Sequence, residues 1–278
     1  MSSIEAKVSG IYFYPVKSCA GTETGGAYIE EKGLPHDRHW MVVNPNGKFL
    51  TQRELPKMAL IKPRLEYDRL VISGIEEPSV LEIPIVTTGE RRKVEIWGNY
   101  CEAMDDGALA SEWLSQYLGV ECYLVHMAND FVREKKKSYG RFEFADSYPF
   151  LIVSEESLED LNEKIAANGG QEISMDRFRP NIVVNGCAAF AEDSWAKVTI
   201  GEVDFDVVRP CIRCPIPTID QKNSQRGKEP LKTLASYRKV ALGGKKSGVI
   251  FAQKAVHLNS GLIAVGDEVN VLKTKSGS

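Results

Sequence analysis

Two cysteines, Cys211 and Cys214, stand three positions apart in a segment that reads Arg-Pro-Cys-Ile-Arg-Cys-Pro from position 209. A structural zinc site commonly needs two such pairs, and the sequence has neither a second pair nor histidines at ligand spacing. A thioredoxin-like pair opens a helix, whereas Pro215 and Pro217 oppose a helix at this point. Two further interpretations stay open: unrelated buried thiols, or one thiolate ligand for a soft metal, favoured by the two arginines.

A second group of candidates consists of cations at the ends of strand-like segments. Lys17 and Ser18 follow the strand break at Pro15, and a lysine with a hydroxyl in a turn can bind phosphate. An ordinary solvated turn explains them equally well, and the glycine pattern of a Walker loop is absent. Arg38 and Arg179 stand beside apolar strand-like runs. Guanidinium groups there suit a phosphate or a polar heterocycle, although each alone is more often part of a surface salt bridge.

Three other cations, Arg53, Lys57 and Arg64, carry no comparable signal, and we interpret them as surface ion pairs. The basic run Lys135–Lys137 is short and has acidic neighbours. It predicts a solvated loop rather than a nucleic-acid surface.

Strands must position most of these residues. Segments 8–14 and 265–271 predict an opening and a closing strand, and two hairpins are expected. One hairpin joins Trp40–Val43 to 48–51 through Asn46-Gly47, a pair typical of a type I′ turn. The other joins 198–200 to 203–207, where apolar residues alternate with acidic ones.

Three helices interrupt the strands. Asp106 predicts the start of a helix that ends at Gly119, with Leu109, Trp113 and Tyr117 facing inward. Ser154 predicts the cap of a second helix, with Leu158, Leu161 and Ile165 facing inward and an end near Asn168-Gly169. Pro230 opens a third helix that runs to about Lys239. The fold class is therefore mainly β with a few helices, in the α+β class.

Composition limits the function classes. The chain has 278 residues, of which 43% are hydrophobic and 26% charged, so it can bury a sizeable core. The net charge of −3 gives no reason to expect a nucleic-acid partner. No apolar run of membrane-spanning length and no signal-peptide pattern occur, which predicts a cytoplasmic protein without a membrane partner. Its six cysteines are then expected as free thiols or ligands rather than disulfides.

Low hydrophobicity from Asn129 to Gly140 predicts a linker or exposed loop. We place a domain boundary near residues 124–130, after the first helix and the strand that follows it. This gives an N-terminal domain at 1–126 and a second domain at 127–278.

Seven segments in a fixed order resemble one family, the MOSC proteins with an N-terminal MOSC β-barrel domain. Within it, the mitochondrial amidoxime-reducing components and their bacterial counterparts are the most similar. The segments that carry the resemblance are Tyr14–Cys19, Asp37-Arg38, Ser147–Ser154, Phe178–Val183, Glu192–Trp195, Cys211–Cys214 and Lys228–Arg238.

The resemblance implies a β-barrel MOSC domain after an N-terminal β-barrel-like domain, and a molybdenum–molybdopterin cofactor. The metal ligand and catalytic residue of the family is the second cysteine of the pair, here Cys214. The positions that match the family's cofactor contacts are Lys17, Ser18, Arg38, Arg179, Asn181 and Arg213, with Asp146 and Ser147 on a loop that should face the same site.

The activity implied by the resemblance is reduction of N-hydroxylated small molecules such as amidoximes, hydroxylamines and N-hydroxylated bases. An external electron donor would be needed: a cytochrome b5-like, ferredoxin-like or flavin reductase partner. The alternative is a non-catalytic carrier of molybdenum cofactor or sulfur.

Two positions depart from the family pattern. After Asp220, the sequence Gln-Lys-Asn-Ser replaces the acidic stretch of many relatives, which predicts a different rim. Lys254 stands where the mitochondrial proteins have a tyrosine, so its contact with the cofactor is left open, as is the role of Cys211.

Overall fold

Strands dominate the computed structural model, which describes residues 6–85, 88–131, 142–244 and 246–275. They confirm the expected mainly β fold with three α-helices among the described residues. The strands in chain order are β1 (Lys7–Phe13), β2 (Thr22–Thr24), β3 (Gly26–Ile29), β4 (Trp40–Val43), β5 (Ile61–Glu66), β6 (Arg69–Gly74), β7 (Val80–Pro84), β8 (Arg91–Ile96), β9 (Asn99–Asp105), β10 (Tyr123–Met127), β11 (Phe150–Ser154), β12 (Ile182–Asn185), β13 (Trp195–Ile200), β14 (Val203–Ile212), β15 (Lys239–Ala241), β16 (Ser247–His257), β17 (Gly261–Ala264) and β18 (Val269–Thr274). The helices are α1 (Ala108–Leu118), α2 (Glu155–Ala167) and α3 (Leu231–Tyr237), and 3₁₀ segments lie at Pro56–Leu60, Met175–Phe178, Ala191–Asp193 and Ile216–Thr218.

The largest sheet has the strand order β18-β13-β14-β16-β11-β12-β1-β2, with β15 paired to β16. Its β11–β12 pair is parallel and is connected through α2, while the other pairs are antiparallel. Strands β1 and β2 come from the start of the chain, yet they pair inside this sheet. The sheet buries one core with Phe150, Trp195 and Phe205, and a second core against α2 and α3 with Phe178 and Phe251.

Residues 40–127 contribute two smaller sheets, of order β4-β10-β9-β8 and β5-β6-β7. Helix α1 packs beside them, and two further hydrophobic cores lie here. The pair β3–β17 links a strand of the N-terminal segment to one near the end of the described chain.

The helix predictions are confirmed for α2 and partly wrong for α1. Ser154 caps α2 by accepting a hydrogen bond from the Ser157 N–H at 3.2 Å. In α1 the N-cap is Gly107 rather than Asp106, because the Asp106 carboxylate pairs with His126 Nδ1 at 2.9 Å. The inward face of α1 was wrong only at Leu109, which is 76% exposed. Tyr117 is buried as predicted, Trp113 packs partly buried against the same core, and Ala110, Leu114 and Leu118 are buried as well.

The hairpin predictions have mixed outcomes. The β13–β14 hairpin is confirmed, whereas the closing strand starts at Val269 and leaves Val265 in a turn. At Asn46-Gly47 only the glycine has a positive φ, so the turn is not type I′. The Asn44 side chain instead accepts the N–H groups of Asn46 and Lys48 at 3.0 Å each. The fixed φ of Pro45, which lies between Asn44 and Asn46, suits this side-chain turn. Residues 48–51, the predicted second strand of the hairpin, form isolated bridges rather than a strand.

Two expectations fall outside the described residues. The run Lys135–Lys137 and most of the expected linker lie within residues 132–141. The domain boundary at 126/127 therefore stays a prediction. No helix in the described part of the chain is both long and apolar enough to cross a membrane.

Candidate functional site

One pocket of about 190 Å³ brings the predicted site residues together. The end of β1 and the starts of β11 and β12 lie at one edge of the large sheet. Strand β16 connects them to the last part of β14, because Lys254 pairs with both Leu151 and Arg209. All nine predicted residues line this pocket: Lys17, Ser18, Arg38, Asp146, Ser147, Arg179, Asn181, Arg213 and Cys214.

The charges on the pocket wall are unbalanced. Among the described lining residues, six side chains are cationic and one is a carboxylate, Asp146. Such a surplus of positive charge in a partly buried site favours an anionic ligand.

The one carboxylate, Asp146, forms an ion pair with one of these cations, Lys17. Its Oδ1 accepts hydrogen bonds from the ammonium group of Lys17 and from the indole N–H of Trp97, the latter at 3.0 Å. Lys17 also donates to the Phe144 carbonyl at 2.7 Å. Burial opposes ionisation of Asp146, but the Lys17 ammonium outweighs it and holds the pKa of the carboxyl below its ordinary value.

Two guanidinium groups share one aromatic ring. Arg38 lies 4.3 Å and Arg179 lies 4.2 Å from the ring centre of Tyr14. Arg38 forms an ion pair with Asp37, whereas Arg179 donates only to the carbonyl oxygen of Cys19. Burial lowers the pKa of Arg179, and the nearby Arg38 charge acts in the same direction. Arg179 is therefore a desolvated cation without a carboxylate partner among the described residues, which is the state expected of an anion-binding group.

The backbone of the site is strained at three of the predicted residues. Ser18, Arg38 and Arg179 have φ values of 66°, 55° and 56°. Residues other than glycine seldom adopt this left-handed region, and where they do, the surroundings enforce it, often at a functional site. All three side chains line the same pocket.

Asn181 lines the pocket but already has backbone partners. Its Oδ1 accepts from the Leu151 N–H at 3.2 Å, and its Nδ2 donates to the Tyr12 carbonyl at 3.1 Å. The residue is buried and joins β1, β11 and the start of β12. Its contact with a cofactor stays a prediction, while its role in tying the site strands together follows from these bonds.

The two clustered cysteines line the pocket, and Arg213 is bonded to the first of them. Arg213 Nη1 lies 3.2 Å from the Cys211 sulfur, and Nη2 donates to the Phe178 carbonyl at 2.9 Å. After Cys214 the chain forms only the 3₁₀ segment Ile216–Thr218, as the prolines predicted, so the helix of a thioredoxin-like site is missing.

All six cysteines are free thiols, in agreement with the expectation. They differ in surroundings. Cys19 is fully buried, and burial raises its pKa to about 12, which makes it a poor ligand. No three His, Cys, Asp or Glu side chains converge as a metal site within the described ranges.

Two pocket residues were missed or left open. Arg53 was interpreted as a surface ion pair, but it lines the pocket, with its Nη2 at 3.9 Å from Asp146 Oδ2. The sequence around it carries no local signal, because a distant contact determines its position. Lys254 also lines the pocket and donates to the Ser147 hydroxyl at 2.7 Å. Lys57 and Arg64 lie outside the pocket. Lys57 donates a hydrogen bond to the Tyr117 carbonyl, and Arg64 forms an exposed ion pair with Glu66.

The segment that follows Asp220, where the sequence predicted a different rim, is anchored to a residue in the first half of the chain. Gln221 and Gln52 exchange hydrogen bonds of 3.0 and 3.1 Å through their side-chain amides. Asp220 forms an ion pair of 2.6 Å with Arg177. The rim segment is therefore fixed to the first half of the chain.

Comparisons with known proteins agree with this geometry. The model of the MOSC N-terminal beta barrel domain matches residues 5–121, and the model of the MOSC domain matches residues 139–270. Mitochondrial amidoxime-reducing component 1 of Mus musculus is 36% identical over 286 residues, which cover 95% of this chain and 82% of that protein. The chain belongs to the MOSC family. Within that family, it is one of the proteins that also have an N-terminal MOSC β-barrel domain.

Other relatives in this family have two different names. The Homo sapiens amidoxime-reducing component 1 is 34% identical, over 95% of this chain and 82% of that protein. The Homo sapiens molybdenum cofactor sulfurase is 30% identical, over 94% of this chain but only 32% of that protein. Membership of the family thus connects this MOSC chain to molybdenum cofactor, but the relatives do not share one activity.

The residues present fit a molybdenum–pterin group. A thiol that lines the pocket meets the preference of a soft metal for sulfur. Arg179 and the other surplus cations meet the charge of a phosphate.

Proposed function

We propose that this MOSC chain is a molybdenum-dependent oxidoreductase that reduces N-hydroxylated compounds with electrons from an external donor. The observation that carries the proposal is one pocket that combines the Cys214 thiol with the carboxylate-free guanidinium of Arg179. The amidoxime-reducing relatives, which align over nearly the whole chain, support the reductase within the broader class of molybdenum-cofactor proteins.

In this proposal Cys214 ligates the metal. Lys17, Ser18, Arg38, Arg179 and Asn181 hold the anionic pterin, with Asp146, Ser147 and Arg213 beside it. The cofactor, when bound, supplies the redox chemistry.

The overall reaction fixes what else is required. An N–OH group, two electrons and two protons give N–H and water. The electrons come from a protein donor of the cytochrome b5, ferredoxin or flavin reductase class. Within this chain, Arg213 stabilises negative charge near the metal, and Cys211 holds Arg213 through the 3.2 Å contact.

A second function is favoured by one observation. Molybdenum cofactor sulfurases share about 30% identity with this chain over a third of their length. A carrier that binds molybdenum cofactor or sulfur without turnover would use the same pocket.

One pair of variants separates these functions. The protein is purified from a host that makes the cofactor, and molybdenum content and benzamidoxime reduction with an artificial donor are measured. Cys214→Ser should lose nearly all turnover because the thiolate ligand is lost. The matched control, Cys211→Ser, retains a hydroxyl beside Arg213 and should keep most of both properties.

The outcomes are distinct. Bound molybdenum without turnover in the unaltered protein supports the carrier. Equal losses in both serine variants contradict the assignment of one ligand. The cytosolic location also stays a prediction, since the amidoxime-reducing relatives are named mitochondrial.

A further inference from the structure

Trp97 occupies an unusual position beside the pocket. It forms the two-residue turn Trp97-Gly98 between the paired residues Ile96 and Asn99 at the β8–β9 hairpin. Both turn residues have positive φ, 52° at Trp97 and 76° at Gly98. Type I′ turns favour asparagine or glycine at the first position. A bulky aromatic residue there is strained, so the side chain must be held by contacts elsewhere.

Two of the three contacts of the Trp97 ring are with residues that line the pocket. The Trp97 indole N–H donates to Asp146 Oδ1 at 3.0 Å. The Arg53 guanidinium lies 4.8 Å from the Trp97 ring, and Phe49 packs against it edge-on at 4.9 Å. Asp146 and Arg53 line the pocket. Trp97 therefore stands at the pocket mouth, on a hairpin that is remote in sequence from the cysteine pair.

The indole is fixed but not covered. Trp97 is 50% exposed despite its three partners. A rigid aromatic surface that remains open to solvent loses little conformational entropy when a second ring stacks on it. Aromatic pairs prefer offset or edge-on arrangements with centroids a few ångströms apart, and the fixed indole offers such a surface next to the mouth.

We propose that Trp97 is a specificity-determining residue that binds the aromatic ring of planar N-hydroxylated substrates such as aryl amidoximes. The inference rests on the proposed reductase function. The aryl ring stacks on the exposed indole, while the N–OH group extends into the pocket toward Cys214. Arg53 behind the indole fixes its orientation, and small aliphatic substrates make no use of this surface.

The test compares an aromatic and an aliphatic substrate. Benzamidoxime and acetamidoxime reduction are measured on molybdenum-loaded protein with an artificial donor, which removes any effect of donor docking. Trp97→Leu should raise the KM for benzamidoxime about tenfold, because one ring contact is lost. The KM for acetamidoxime should stay within about twofold, and Trp97→Phe, which retains a ring, should recover most of the benzamidoxime affinity.

Trp113→Leu is the matched control. Trp113 also lies in the first half of the chain and donates its indole N–H, to Ser79 at 2.8 Å, but it does not line the pocket. It should leave the ratio of the two KM values unchanged.

A readout without turnover accompanies the kinetics. The chain has four tryptophans, and loss of one indole N–H signal in Trp97→Phe assigns that of Trp97 in an NMR spectrum. Without a reductant, benzamidoxime should shift this signal and acetamidoxime should not.

Equal KM changes for both substrates in Trp97→Leu, or an unshifted signal with benzamidoxime, would overturn the inference while reductase activity stands. Absence of turnover of both substrates by the unaltered loaded protein would instead overturn the proposed function.

Discussion

Two arginines in this fold are packed alike and paired differently. Arg179 lies 4.2 Å from the ring centre of Tyr14, and Arg238 lies 4.2 Å from that of Phe190. Arg238 also forms an ion pair of 2.5 Å with Asp193. Among the described residues, Arg179 donates only to the carbonyl oxygen of Cys19. Stacking on an aromatic ring is therefore common to both, and the carboxylate distinguishes them.

The surroundings of Asp193 extend the contrast. It belongs to the 3₁₀ segment Ala191–Asp193, in which the adjacent Glu192 is fully buried and accepts hydrogen bonds from the hydroxyl groups of Ser154 and Ser157 at 3.1 and 2.9 Å. Charged groups in this segment have protein partners, as structural ion pairs and networks usually do. The contrast teaches that a buried charge left unpaired by the protein marks a ligand site better than a buried charge does by itself.

The largest effect is expected at Arg179. Arg179→Met keeps an apolar contact with Tyr14 but removes the unpaired cation. Molybdenum content of purified protein should fall by about tenfold or more, the value of a charge-assisted hydrogen bond. The free energy of unfolding of the cofactor-free protein should change by less than about 1 kcal/mol or rise, because an uncompensated buried charge is lost. A large loss of stability would show that Arg179 has a structural role like that of Arg238, and would contradict the difference between the two arginines.

A smaller and opposite effect is expected at the matched position. Arg238→Met leaves Asp193 without its cation, so the free energy of unfolding should fall by about 1–3 kcal/mol. Molybdenum content per folded protein should be unchanged. Urea unfolding and metal analysis of the same preparation check both statements, and selective loss of molybdenum in this variant would contradict them.

The smallest effect is expected at Glu192, where it depends on pH. Burial raises the pKa of Glu192 above its ordinary value of 4.5, although the serine hydrogen bonds act in the opposite direction. Because the pKa of Glu192 is higher in the folded than in the unfolded protein, its protonation stabilises the fold. This contribution is fully present below the ordinary pKa and is lost as pH rises through the folded-state pKa. Glu192→Gln cannot ionise, so its stability relative to the unaltered protein should increase from about pH 5 to about pH 8. A constant difference across that range would show that Glu192 does not titrate there.

Parts of the fold and of the candidate site were accessible from sequence, for identifiable reasons. Local rules found the Ser154 cap and the β13–β14 hairpin because the residues that decide them are neighbours in the chain. The nine site residues were assembled by resemblance, since no local pattern brings Lys17 next to Arg179. What the sequence could not give was pairing. The Arg238–Asp193 ion pair and the Arg179–Cys19 hydrogen bond, which distinguish the two arginines, each join residues far apart in the chain.

The errors have the same origin. Leu109 has helical spacing that suits an inward face, but it is exposed, and the sheets beside α1 bury Ala110 and Leu114. Arg53 was taken for a surface ion pair because nothing near it in sequence indicates that Trp97 and Asp146 lie alongside it. Tertiary contacts decide these cases, and local propensity is silent on them.

Strand β1 has a consequence for how the protein is made. It pairs with β12, and Asn181 bonds to Tyr12 across 169 residues of chain. During translation β1 is synthesised long before β12, and only its pairing with β2 can form early. The edge of β1 that binds β12, and the bond from Asn181 to Tyr12, form only after β12 has left the ribosome. A nascent chain halted before residue 182 should therefore have no affinity for the cofactor, which makes loading a late event in biosynthesis.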